Sequence, residues 1–114
     1  MVGHLDVPGL TEPGVPASLS PAAITDLLRG ELGYDDALVF TDSLSMGAIT
    51  TRFTVAEAAV QAIAAGADIA LIASLSDVAA VIDALSAAVV DGRISTERLA
   101  AALRHVFAAK QIPC

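Results

Sequence analysis

Residues that could tie a chain down covalently or draw it to a polyanion are scarce in this sequence. There is one cysteine in 114 residues, Cys114 at the very end, so no internal disulfide is possible and the thiol reads as a solvated terminal group. Lys and Arg together number six against thirteen Asp and Glu, a net charge of −7. Phosphate backbones demand clustered cations, and these six are scattered, which argues against a nucleic-acid partner. No glycine-rich phosphate loop follows an apolar run, and no His/Cys spacing suits a metal; the reading is of a chain without cofactor or metal. The apolar runs are broken by Asp, Gly or Ser well short of the ~20 residues of a membrane span. Met1–Asp6 has no basic stretch followed by an apolar core, so it does not read as a signal peptide. The chain as given reads as soluble and cytoplasmic, with an exported or lipid-anchored parent allowed if a signal lies upstream.

Apolar residues, by contrast, are abundant at 55%, enough to offset chain entropy and exclude disorder. Three short apolar runs alternate with longer helix-like segments. They are Met1–Leu5, Ala37–Thr41 and Ile69–Ala73, roughly 30 to 35 residues apart, and the last two are apolar on both faces, as buried parallel strands are. Between them lie segments with helical punctuation. Ser20-Pro21 reads as an N-cap with proline in the first turn, ahead of an apolar face of Ile24, Leu27 and Leu28, with Gly33 as a stop. Thr54 to Glu57 fits a capping box opening a helix that runs to Gly66. Ser76 or Asp77 caps a helix whose face is Val78, Val81, Ile82, Leu85 and Val89. Ser95 caps a last helix, with Leu99, Leu103, Val106 and Phe107 turned inward. The pattern β-α-β-α-β-α-α defines an α/β fold with a parallel sheet. Repeats and internal boundaries are absent. The stretch from Asp6 to Leu19 is long for an α/β connection, which points to a functional loop.

Ligands in parallel α/β folds bind at the carboxyl ends of strands. Asp42 falls where the second run ends, and His4 and Asp6 follow the first, with Ser74 and Ser76 after the third. Asp42 therefore stands where a functional carboxylate belongs, although an Asp at a turn can also serve as a local cap. Asp68 precedes its run, on the opposite rim, where polar side chains serve stability. Asp35 and Asp36 read as solvated, His105 as a surface residue beside Arg104, and Arg52 as a loop cation able to approach an anionic group.

Three ordered segments carry a resemblance to a known family. Met1-Val2-Gly3-His4-Leu5 is followed by Pro16-Ala17-Ser18-Leu19-Ser20. Then come Leu27-Leu28-Arg29 with Leu32-Gly33-Tyr34, and Val39-Phe40-Thr41-Asp42-Ser43-Leu44-Ser45-Met46-Gly47-Ala48-Ile49. Last comes Ala58, Ala62 and Ala65-Gly66-Ala67-Asp68. Together they resemble the end of the N-terminal barrel domain of glycoside hydrolase family 3, in its bacterial β-N-acetylhexosaminidase branch, over nearly the whole chain. The resemblance implies a partial (β/α)8 TIM barrel, its last three β/α units plus a C-terminal helix. It implies that Asp42 is the nucleophile, that Met46 lines the sugar site, and that His4 faces the pocket from a strand end. The substrate implied is a terminal N-acetylglucosaminide, linked to cell-wall or related glycans. Ser43 stands where the family often has Asp or Ala, and Asp35-Asp36-Ala37 replaces a loop that usually carries glycine.

The His–Asp acid/base dyad of that branch, and the Lys-His pair before it, have no match here. A retaining glycosidase needs the second group, with the carboxyl pair about 5 to 5.5 Å apart in the usual arrangement. The isolated segment is therefore expected to be inactive and prone to self-association through barrel faces left without partners. A non-catalytic binding or assembly module derived from the barrel is the alternative. A phospho-acceptor receiver domain would need an acidic pair after the first run and a Lys after the third; only Asp6 is present.

Overall fold

The computed structural model describes residues 1–113, so the reading of Cys114 lies outside the described residues. Extended chain around Val2, Phe40 and Ile69 lies side by side in parallel, with Val2 paired to Thr41 and Phe40 to Ile69. The order in space follows the order in sequence. Val2 N–H donates to Phe40 O at 2.9 Å and Asp42 N–H to Val2 O at 2.9 Å; Ile69 N–H donates to Val39 O at 3.2 Å and Thr41 N–H to Ile69 O at 3.1 Å.

The pairing is shorter than runs of five apolar residues suggest. The cause is visible at Thr41, whose hydroxyl takes the Leu71 N–H at 3.1 Å in place of a ladder carbonyl. Leu71 O then accepts from Leu44 N–H at 2.8 Å, two residues beyond Asp42. A side chain ends the ladder, and the backbone past it turns away as a loop.

A 3-10 turn at Ala17–Leu19 leads into a π-helix, Ala22–Glu31. Its closing bond, Leu32 N–H to Leu27 O at 2.9 Å, skips five residues. That winding puts Ile24 and Arg29, five apart, inward together, while Leu27 and Leu28 are only half-buried. The face expected from a 3.6-residue period is displaced accordingly. Gly33 follows with φ +74, the left-handed conformation that ends the helix.

Four α-helices follow among the described residues: α1 (Gly47–Thr50), α2 (Val55–Ala64), α3 (Val78–Val90), entered through a 3-10 turn at Leu75–Asp77, and α4 (Thr96–Ala109). α2 begins on the expected capping box, with Thr54 accepting from Glu57 N–H and the Glu57 carboxylate accepting from Thr54 N–H. α4 begins on Ser95, which accepts from Arg98 N–H at 3.1 Å. α3 departs from expectation. Asp77 is its N-cap by position but makes no side-chain cap bond, and the hydroxyls of Ser74 and Ser76 pair with each other at 2.7 Å.

The core forms between α2 and the paired segments. Ala58, Ala59 and Ala62 are fully buried and small enough to bring the helix close to Val39, Leu44 and Ile49. A second cluster of Val60, Ile63, Ala88 and Ile94, with Leu99 packed on it, fastens α3 and α4 to the far side of α2. Ile82 and Leu103, expected inside, lie at 56% and 43% exposure, because α3 and α4 are covered on one flank only.

Candidate active site at the ends of the parallel segments

Asp42 leaves the second extended segment at the point where the ladder stops. Its N–H is tied to Val2 O, and its Oδ1 accepts the N–H of Ser43 at 2.7 Å. The carboxylate is half-buried, so one oxygen is held by the next peptide while the group stays reachable. Met46 is the N-cap of α1 and lies 46% exposed, on the same loop. His4 comes from the end of the first segment. Its Nε2 lies 2.9 Å from Ser43 O and its Nδ1 2.7 Å from the hydroxyl of Ser18. The structure thus brings His4 onto the Asp42 loop itself.

The surrounding loops are tied to this rim. Ser45 Oγ accepts the Ala73 N–H at 3.2 Å, linking the Asp42 loop to the end of the third segment. Ala17 N–H donates to Leu5 O at 2.8 Å, closing the long connection back on its own segment. Arg52 donates to Gly14 O at 3.0 Å and stands 3.7 Å from Asp6 Oδ2, so this cation holds two loops together and its nearest anion is internal.

Ser18 escaped the sequence reading, and Ser43 entered it only as a departure from the family's pattern. Ser18 is completely buried, and its only sequence signal was membership of the Pro16–Ser20 motif. Ser43 Oγ is buried without a hydrogen-bond partner among the described residues. Among those residues, too, no group of three or more His, Cys, Asp or Glu is arranged to hold a metal. A groove of about 490 Å³ lined by Glu12, Val15, Leu19, Gln61 and Ala65 contains none of Asp42, His4 or Met46.

The opposite rim is built on Asp68, whose side chain is fully buried. Its Oδ2 accepts from Arg29 Nη2 at 2.8 Å and from Val39 N–H at 2.9 Å; its Oδ1 faces Arg98 Nη2 and His105 Nδ1, the latter at 3.0 Å. Arg29 also reaches Gly66 O with Nε and Nη2 and Asp35 O with Nη1. Burial pushes the Asp68 carboxyl upward. Val39 N–H, His105 and Arg29 outweigh that and hold it below the ordinary carboxylate range. The stabilising role expected of Asp68 fits this arrangement. His105 is a correction: its side chain is only 12% exposed and points at Asp68, because a fully buried carboxylate recruits the polar flank of α4.

With this geometry in view, the comparisons are direct. The family described as glycosyl hydrolase family 3 N terminal domain matches residues 1–109. The chain belongs to that family. It is 50% identical over 99 residues to a beta-hexosaminidase, LpqI, of Mycobacterium tuberculosis, covering 82% of this chain and 25% of that protein. It is 37% identical over 81 residues to beta-hexosaminidase A of Pseudoalteromonas piscicida, covering 62% and 13%. A solved family 3 beta-N-acetylglucosaminidase from a Paenibacillus species superposes with TM-score 0.87 at 46% identity, over 92% of this chain and 20% of that one. The solved M. tuberculosis LpqI gives 0.85 at 46%, over 93% and 32%. The chain thus spans about a quarter of the length of the curated relatives matched first.

Proposed function

We propose that this chain is the last portion of a (β/α)8 barrel and carries Asp42 as the nucleophile of a retaining β-N-acetylhexosaminidase. The observation that carries this reading is the placement of Asp42. It is a reachable carboxylate at the end of a parallel segment, oriented by the Ser43 N–H, in a chain of family 3. The naming of the relatives as beta-hexosaminidases supports the substrate class.

In the reaction proposed, an Asp42 oxygen attacks the anomeric carbon of a terminal N-acetylglucosaminide and the glycosidic bond breaks. The leaving oxygen takes a proton from an acid, and water then releases the sugar from the carboxylate. The Ser43 N–H bond keeps one Asp42 oxygen pointed while the other reacts. Met46 supplies an apolar wall beside the sugar. The family resemblance gives the acid to a His–Asp dyad on an earlier loop of the barrel, which has no match in this sequence, and the His4 ring is engaged within the protein at both nitrogens. Acid–base assistance is worth about 10²–10⁴-fold, so this segment alone is nearly inactive.

The complete protein assayed on a chromogenic N-acetylglucosaminide tests the assignment. Asp42→Asn lowers kcat by about 10³-fold or more if Asp42 forms the covalent intermediate. Unchanged turnover in that variant would sink the nucleophile assignment, and no turnover in the unaltered protein would favour a binding module.

A further inference from the structure

We propose that His4 is a positioning residue for the Asp42 loop, braced from behind by Ser18, and makes no hydrogen bond to the sugar. The inference rests on the reading of Asp42 as the reacting carboxylate. A carbonyl oxygen only accepts, so the 2.9 Å contact to Ser43 O requires His4 Nε2 to carry the proton and donate. In the neutral ring Nδ1 is then bare, and the Ser18 hydroxyl donates to it at 2.7 Å. Both nitrogens are spent inside the protein.

The peptide that His4 holds is the one joining Ser43 to Leu44. Its oxygen receives His4, and its N–H donates to Leu71 O at 2.8 Å. Without the imidazole it would be anchored at one end only. The preceding peptide, joining Asp42 to Ser43, supplies the N–H that meets Asp42 Oδ1. Fixing one side of Ser43 therefore fixes the direction from which the other side grips the carboxylate. Ser18 is suited to its part because it is completely buried, on a turn closed by Leu19 N–H to Pro16 O and tied by Ala17 N–H to Leu5 O. Ser18 and His4 thus transmit the position of the first segment's loop to the nucleophile.

The test is steady-state kinetics on the complete protein with His4→Ala, His4→Gln and Ser18→Ala, read beside Asp42→Asn. Misplacement of a reacting group by about 1 Å costs on the order of 10²-fold, so His4→Ala should lose about that in kcat with KM nearly unchanged. Gln can still present an N–H toward Ser43 O, and His4→Gln should recover about tenfold of the loss. Ser18→Ala should lower kcat by less than His4→Ala. A raised KM with kcat intact would make His4 a sugar contact and overturn the proposal, as would equal losses in His4→Gln and His4→Ala. Should His4→Ala fail to fold, the other two variants decide the kinetics, and ring 15N spectra of the unaltered protein decide the tautomer: Nε2–H supports the brace, Nδ1–H refutes it. An active Asp42→Asn removes the underlying reading. An inactive Asp42→Asn with His4 variants at full rate overturns the brace alone.

Discussion

Asp68 Oδ1 stands 3.0 Å from His105 Nδ1, so one buried carboxylate connects the start of the third extended segment to the last helix. Its other oxygen reaches Arg29 on the π-helix. Removing one partner of a buried ion pair leaves the rest desolvated and unpaired, at a cost of about 3–5 kcal/mol. Asp68→Asn should therefore lower the unfolding free energy by an amount of that order, measured by urea titration at fixed protein concentration. His105→Ala, which leaves both arginines in place, should cost clearly less.

The same carboxylate gives stability a dependence on pH. Its value in the folded chain is depressed, so its contribution is present above the ordinary carboxylate value of about 3.9 and is lost as pH falls through the lower folded value. Glu57, held low by the Thr54 N–H and hydroxyl, acts in the same direction. Urea midpoints at pH 5 and pH 3 should fall more steeply for the unaltered chain than for Asp68→Asn. Parallel declines would mean that Asp68 is not the group responsible.

Gly66 turns the chain from α2 into the third segment at φ +116, and a Cβ there would meet Thr25 Oγ1 at 2.6 Å and Ile24 Cγ2 at 3.1 Å. That hydroxyl is itself bound to Ala65 O at 2.8 Å and has no easy retreat. Gly66→Ala should destabilise by about 1–3 kcal/mol, from strain and overpacking together. Gly92, at φ +81 with open space around it, should tolerate alanine with a smaller loss.

Thr41 is fully buried, and its hydroxyl is the acceptor that replaces a ladder carbonyl for Leu71 N–H. Thr41→Val keeps the shape and removes the acceptor, an expected loss of about 1–3 kcal/mol for the stranded N–H. Thr41→Ser should retain most of the stability. Amide exchange at Leu71 gives a local reading: faster in the valine variant, near normal in the serine one.

Leu5 and Leu71 lie 68% and 42% exposed at the ends of paired segments. Unpartnered segment edges and apolar side chains favour association. Sedimentation and thermal unfolding of the purified chain should depend on its concentration. A sharp, concentration-independent transition of a monomer would count against the proposal that further barrel strands cover these faces.

The caps of α2 and α4 were legible because Thr54 and Ser95 act on N–H groups three residues away, a distance that a sequence displays directly. The position of Asp42 was legible for a related reason: the place where an apolar run stops also marks the end of the paired segment. His105 was not, because its partner lies 37 positions away and helical periodicity registers only apolar residues. Nor was the π-helix, whose winding turns Arg29 to Gly66 O, Asp35 O and Asp68, partners remote in sequence or on the backbone that an apolar pattern does not register. The pairing of the second and third segments is short because a hydroxyl, a group that hydropathy patterns ignore, took the next place in the ladder.

The hold of Arg29 on Asp35 O and Gly66 O has a practical side. These bonds, and those of Asp68, lie at the rim away from Asp42. Libraries that vary Met46, to test the proposed sugar wall, leave the bonds of Arg29 and Asp68 untouched. The same libraries aimed at Arg29 or Ala67 would mostly return chains that no longer assemble.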